Sequence, residues 1–333
     1  MAPLPRIAVI GTGGTISSLG SHSLDVLDYG DTDRRLEADE LVARFPECGA
    51  VADVVPVRYA AEKSTALGPK TWLALAGLIH ATAAREPDLA GFIVTHGTAT
   101  LEETAYFLNL ALKTALPVVV VGAQRPPTAL SSDAGMNLVG ALRTAGNPAA
   151  RGKGVMVVLN DEIQAAREVT KTSTYRLQTF RSPDVGVLGH VDGDDVFFYR
   201  GPLRRHAPDT EFTVEGRDSL PRVDIALSYA GNDGTAIEAA VAAGARGIVS
   251  AGFAPGMVTP AEQTALEEAR RKGVFVVQSS RAGSGRIAPR AGLHRNGLLA
   301  ADSLNPQKAR ILLMLGLAHT EDPAELARMF REY

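Results

Sequence analysis

Gly91-Phe92-Ile93-Val94-Thr95-His96-Gly97-Thr98-Ala99-Thr100-Leu101-Glu102-Glu103-Thr104-Ala105 reads as a strand, a polar turn and the opening of a helix. The run from Gly91 to Val94 is apolar without alternation, as in a strand covered on both faces. Thr100 with Glu103 fits a capping box, which starts the helix near Leu101. The turn between them offers the hydroxyls of Thr95 and Thr98 and the free backbone donors of a helix N-terminus. Open parallel sheets gather their ligands at strand ends of this kind.

The same succession recurs along the chain. Apolar runs at Ile7–Ile10, Phe92–Val94, Val118–Val121 and Val155–Leu159, then at Val223–Leu227, Ile248–Val249 and Val274–Val277, predict buried parallel strands. Amphipathic stretches predict helices at about Trp72–Ala84, Leu101–Lys113, Met136–Ala145, Ala236–Ala243, Ala261–Arg271, Gln307–Leu317 and Pro323–Arg331. This alternation is that of an α/β protein with right-handed crossovers. From Tyr199 to Arg222 the composition changes to prolines and charges without a long apolar run. That predicts domains at 1–200 and 222–333 joined by a linker at 201–221.

The totals narrow the function. The 333 residues are 45% hydrophobic and 21% charged, with 34 Lys plus Arg against 37 Asp plus Glu. So even a balance gives no basic surface for nucleic acid and none for a membrane. The single Cys48 excludes an internal disulfide and a Cys-based zinc site. Without a charged leader, a long apolar core to follow it, or a twenty-residue apolar span, the expected location is cytoplasmic.

Three places carry chemistry. The first strand ends in Gly11-Thr12-Gly13-Gly14-Thr15-Ile16, where glycines permit positive φ and close backbone approach. The pattern lacks the third glycine of a dinucleotide fingerprint and the Lys of a phosphate loop. It is either a tight turn or a platform for the hydroxyls of Thr12 and Thr15, and a Thr nucleophile needs a nearby base and oxyanion donors. A second place is Arg167-Glu168-Val169-Thr170-Lys171-Thr172, after Asn160-Asp161. Lys171 is either a surface lysine or a desolvated base for a hydroxyl. The third is the Thr95–Thr98 turn, where His96 reads as a hydrogen-bonded structural residue. The seven histidines form no metal-ligand spacing and no Gly-x-Ser-x-Gly elbow is present. Acyl transfer with no metal and no cofactor is the chemistry these residues favour.

Taken together, the chain resembles the bacterial-type L-asparaginases, the threonine amidohydrolases that include glutaminase-asparaginases. The resemblance runs over essentially the whole sequence. It rests on Thr12-Gly13-Gly14-Thr15-Ile16, Thr95-His96-Gly97-Thr98 with Leu101-Glu102-Glu103-Thr104-Ala105, and Val121-Gly122-Ala123-Gln124-Arg125-Pro126. Asn160-Asp161, Val169-Thr170-Lys171-Thr172, Ser279-Ser280-Arg281 and Leu304-Asn305-Pro306-Gln307-Lys308-Ala309-Arg310 extend it. It implies a parallel-sheet, flavodoxin-like N-terminal domain and a smaller α/β C-terminal domain. It also implies a homotetramer of intimate dimers with active sites between subunits. By position, Thr15 is the implied nucleophile, Tyr29 its partner on a lid, and Thr98 with Lys171 a second hydroxyl–base pair. Ser64 falls at a carboxylate-binding serine, Gly97 in the turn lining the pocket, and Ala123 at a carbonyl that receives the amide.

The departures surround one group. Ala99 stands where the family has the aspartate that binds the substrate α-ammonium and contacts the lysine, and Thr65 where a Gln contacts the same ammonium. Met257 aligns with an Asn near that site. Between Gln278 and Ala301, where the family's facing subunit supplies an acid, there is no Asp or Glu, but Arg286, Arg290 and Arg295 are present. A buried ammonium without a carboxylate is poorly compensated. The expected substrate is therefore a small amide or related acyl compound lacking a free α-ammonium, with an extra carboxylate a candidate partner for the arginines. The alternatives are a conventional L-asparaginase carrying an Asp-to-Ala change and a catalytically weak binding or sensor protein.

Overall fold

The expected apolar runs become neighbouring strands in the computed structural model, which describes residues 3–333. In the first unit, which extends to Thr210, β1 (Arg6–Gly13), β2 (Asp53–Glu62), β3 (Gly91–Thr95), β4 (Val118–Val121) and β5 (Val155–Leu159) are parallel. Their order is β2-β1-β3-β4-β5. Helices α1 (Ala38–Arg44), α2 (Cys48–Val51), α3 (Pro69–Arg85), α4 (Leu101–Ala111) and α5 (Ala134–Gly146) provide the crossovers. Every residue of β3, β4 and β5 is buried, which is why their sequences do not alternate. The chain then turns back into an antiparallel extension. β6 (Glu162–Ala165) pairs with β5, and β9 (Gly189–Asp192) and β10 (Asp195–Phe198) follow outward after a separate hairpin, β7 (Thr170–Lys171) with β8 (Phe180–Arg181).

The sequence reading has no strand at β2 and none beyond β5. β2 is an edge strand whose ten residues are all at least partly exposed, and it includes Pro56, which only an edge accepts. The antiparallel strands are four residues or fewer and carry charges, so no apolar run marks them. The parallel order is the flavodoxin-like one. It reverses direction between β1 and β3, and the crevice beyond their C-terminal ends is where such sheets bind ligands.

The second unit, Glu211–Tyr333, is a four-stranded parallel sheet in the order β11 (Val223–Leu227), β12 (Gly247–Gly252), β13 (Phe275–Ser280), β14 (Leu299–Ala300). Its helices are α6 (Thr235–Ala242), α7 (Pro260–Arg271), α8 (Ala291–Arg295), α9 (Pro306–His319) and α10 (Pro323–Glu332). The core gathers Ile237, Ile248, Leu266, Val276 and Leu293. Residues 199–222 form neither helix nor strand. They are tied down all the same: Ala207 N–H donates to the Asn109 carbonyl, and the Thr210 hydroxyl to that of Leu110. Phe212, further along, packs on Tyr333 at 4.9 Å. No helix among the described residues is long and apolar enough to cross a membrane.

Candidate active site

The glycine turn after β1 separates its two threonines. Thr12 is buried and its hydroxyl donates to the Thr95 carbonyl at 2.7 Å, pinning the end of β1 to the end of β3. It is therefore a structural hydroxyl. Gly13 and Gly14 follow at φ 94° and 85°, which turns the chain sharply enough to present Thr15 at the opening of a 3-10 turn. Thr15 Oγ1 lies 2.8 Å from the Tyr29 hydroxyl. The other hydroxyls of the turn, Ser17 and Ser18, are both spent on the Gly14 carbonyl. The segment bearing Tyr29 is held by Asp25, which accepts from the Ser21 N–H and hydroxyl and from the Asp28 N–H. Those three hydrogen bonds keep the Asp25 carboxyl below its usual range.

Against this turn lies the one after β3. A Cβ on Gly14 would stand 2.1 Å from the Gly97 Cα, and one on Gly97 would stand 2.7 Å from Ser64 Oγ, so three segments meet with no room for a methyl. The expected capping box is not what starts α4. Thr100 occupies the N-cap but makes no side-chain cap. Its hydroxyl instead donates to the Ser64 carbonyl at 2.8 Å, fastening the Ser64–Thr65 segment to the turn. Ser64, Gly97 and Ala123 are buried, whereas Thr65 and Ala99 are exposed.

His96 fixes this turn from behind. Its Nδ1 lies 2.8 Å from the Gly97 carbonyl, which only accepts, so Nδ1 carries the proton. Nε2 then accepts from the Thr104 hydroxyl at 2.8 Å, and Thr104 accepts from Trp72 Nε1 at 2.9 Å. The ring is fully buried, and burial pushes its pKa down to about 4, opposed by the Gly97 hydrogen bond. An unfolded histidine takes a proton near pH 6.5 and this one does not, so stability is complete above that value and falls as pH drops towards 4. The loss due to His96 should reach about 3 kcal/mol. Urea unfolding of the parent and His96→Gln at intervals between pH 7 and 4 checks this, since the stability gap between them should shrink across the window. A constant gap would remove the assignment.

Lys171 reaches the site from the β7–β8 hairpin. Its Nζ donates to Thr98 Oγ1 at 2.7 Å and to Gln124 Oε1 at 3.2 Å, and its backbone N–H donates to Glu102 Oε2 at 2.7 Å. Glu102 is a buried carboxylate in the first turn of α4, where the helix dipole favours it. Burial pushes the Lys171 ammonium below the ordinary lysine range, and the charge of Glu102 opposes that shift. Lys171 is thus a desolvated lysine on a hydroxyl and not a solvated surface one. Glu102 and Gln124 lie within motifs that carry the family resemblance, but the sequence assigns neither a site role. The only signal for either was an unusual place for a polar side chain, next to a strand end.

In the second unit Met257 is half exposed, in a β-bridge with Phe253. The arginines are engaged: Arg286 pairs with the buried Asp302, and Arg290 Nη2 donates to the Gly256 carbonyl at 2.7 Å. Asp302 lies just outside the acid-free stretch read from the sequence, and it supplies the counter-charge for which a substrate carboxylate was expected. Among the described residues no group of three or more His, Cys, Asp or Glu could hold a metal ion.

Two hydrogen-bonded pairs, Thr15 with Tyr29 and Thr98 with Lys171, thus stand on the turns that follow β1 and β3 of an α/β sheet, beside its switch point. The descriptions "Asparaginase, N-terminal" and "Glutaminase/Asparaginase C-terminal domain" match residues 6–204 and 222–330. L-asparaginase 2 of Bacillus subtilis (strain 168) is 43% identical over 330 residues, covering 99% of this chain and 87% of that one. A probable periplasmic L-asparaginase of Haemophilus influenzae is 40% identical over 334 residues, 100% of this chain and 94% of that protein. The crystal structure of a probable cytoplasmic L-asparaginase from Campylobacter jejuni superposes with a TM-score of 0.94 at 39% identity, covering 99% of this chain and all of that one. The chain belongs to the asparaginase family, and is an amidohydrolase of the asparaginase fold.

Proposed function

We propose that this amidohydrolase uses Thr15 as its nucleophile and acts on a small amide whose α-ammonium is absent or neutralised. The observation that carries the reading is the pair of contacts Thr15–Tyr29 and Thr98–Lys171 on adjoining turns, with Ala99 and Thr65 exposed between them. Thr15 Oγ1 adds to the amide carbonyl and its proton leaves with the nitrogen as ammonia. The resulting ester on Thr15 is cleaved by water, whose proton is drawn through Thr98 to a neutral Lys171, and Oγ1 takes up a proton as its bond to the acyl carbon breaks, restoring Thr15. The lowered lysine pKa makes that neutral form available at lower pH than an ordinary lysine allows. Nothing at position 99 or 65 carries a charge to meet an ammonium, and such complementarity is commonly worth several kcal/mol.

The test is ammonia release from asparagine, glutamine, succinamate and glutaramate. Preference for the two deaminated amides supports the proposal, and efficient hydrolysis of asparagine ends it. A second reading, conventional asparagine hydrolysis, is favoured by the names of the relatives above, and the same panel separates the two. We also propose the cytoplasm, as for the Campylobacter jejuni relative, and a homotetramer of the 35.0 kDa chain. Exposed Leu24, Leu27 and Leu130 in the first unit, Ile225 and Leu227 on β11 and Tyr229 just after it support assembly. Light scattering that finds a single-chain mass would remove the tetramer.

A further inference from the structure

Lys171 Nζ has a second partner to which the mechanism above gives no part. Gln124 stands in the turn after β4, with Oε1 at 3.2 Å from Nζ. Its other end is fixed too, because Nε2 donates to the Arg176 carbonyl at 3.0 Å. Arg176 lies in the loop between β7 and β8, so one side chain both touches Nζ and fastens the hairpin that carries it. The neighbours decide which way round the amide sits: a backbone carbonyl accepts only, and Nζ needs an acceptor. The Gln124 backbone is clamped in turn. Its N–H and that of Arg125 donate to the two carboxylate oxygens of Asp133, each at 2.9 Å. Asn137 Nδ2 joins Asp133 to the Gly122 carbonyl, at 3.0 Å to each.

We infer that Gln124 is the positioning residue of the Thr98–Lys171 pair, its amide oxygen engaging one Nζ hydrogen so that another Nζ position faces Thr98. An acceptor-only oxygen cannot bind the lone pair of a neutral amine, which leaves that lone pair for the Thr98 proton. Because the amide is uncharged, it orients Nζ without the Coulombic hold that a carboxylate would exert on the ammonium. In this chain Gln124 thus gives the lysine the contact that Ala99 cannot. The charged groups around the lysine are Glu102 from α4, Asp133 behind the Gln124 backbone, Arg125 in the same turn, and Arg176 and Arg181 from the hairpin. Of these, Glu102 alone adds to the hold on the ammonium.

The inference rests on Lys171 acting as the base, so two readouts are used. Gln124→Met keeps the length but removes the acceptor. It should lower kcat on the best amide of the panel about tenfold, with KM changed less than about twofold. Gln124→Glu should recover much of that rate and move the rising limb of the kcat–pH profile upward by about one pH unit. The second readout needs no substrate: the ¹³Cε signal of Lys171 in the whole chain, assigned with Lys171→Met, should titrate at higher pH in Gln124→Glu. If the parent hydrolyses no amide but the lysine signal moves as expected, the proposed function fails and the Gln124 assignment stands. Unchanged rates, pH profile and lysine titration in both variants overturn it.

Discussion

Thr15→Ala should lower amide hydrolysis by about four orders of magnitude, the scale seen when a nucleophile that acts as one unit with its partners is removed. The other hydroxyls of the same turn are already engaged. Thr12 has given its hydroxyl to the Thr95 carbonyl, and Ser17 and Ser18 have given theirs to Gly14. The Thr15 side chain is half-buried and, among the described residues, its hydroxyl hydrogen-bonds only to Tyr29, so its loss opens no core cavity and the variant should unfold at the same urea concentration as the parent. Thr15→Ser keeps the hydroxyl and should keep a measurable rate. Tyr29→Phe should cost about a hundredfold, because it removes the group that shares the Thr15 proton. Rapid acid quench and mass spectrometry should find an acyl group on the peptide containing Thr15 in the parent. Retention of more than about one per cent of the activity by Thr15→Ala would transfer the nucleophile elsewhere.

Ala99→Asp should change what the enzyme prefers more than how well it folds. Position 99 is exposed in the turn between Thr98, which accepts from Lys171, and Thr100, which is tied to Ser64, so an added carboxylate displaces no packed side chain. It restores a charge opposite an α-ammonium. The ratio of kcat/KM for asparagine over succinamate should rise by about a hundredfold or more. A carboxylate near Nζ also favours the ammonium form, which raises the Lys171 pKa. The neutral base then appears only at higher pH, and the rising limb of the rate profile moves up by about one unit. Steady-state kinetics on both substrates from pH 5 to 10 measure the two effects together. A ratio that moves less than about threefold would mean that another group handles the ammonium.

Burial lowers the pKa of both His96 and Lys171, and their neighbours distinguish the two cases. His96 is buried among neutral hydrogen-bond partners and stays neutral, so acid acts on it only by unfolding the turn. Lys171 is partly buried and has Glu102 beside it, so the carboxylate offsets part of the cost that burial places on its charge.

The sequence alone determined the strands buried on both faces in the first unit and the parallel arrangement of the apolar runs, whereas Val223–Leu227, read as buried, is an edge strand with Ile225 and Leu227 exposed. Runs such as Val118–Val121 admit no other reading, because a strand without a wet face needs cover on both sides. The same holds for the family, since its motifs are local and ordered along the chain. It did not reveal edge strand β2, whose exposed residues and Pro56 leave no hydrophobic signal. It also left two hydroxyls, those of Thr12 and Thr100, and two arginines with the wrong or an open partner. Thr12 and Thr100 are alike in sequence, but the pairing of β1 with β3 brings the Thr95 carbonyl to Thr12, and the packing of loops outside the sheet brings the Ser64 carbonyl to Thr100. Arg286 had no acid within its own stretch and found Asp302 across a turn. Lys171 and Gln124 are 47 residues apart, and their contact exists because β4 and the β7–β8 hairpin end at the same crevice. Hydrophobic periodicity is a property of neighbours along the chain and can be read there. A hydrogen bond depends on a few tenths of an ångström between segments far apart, and only the folded packing sets that distance.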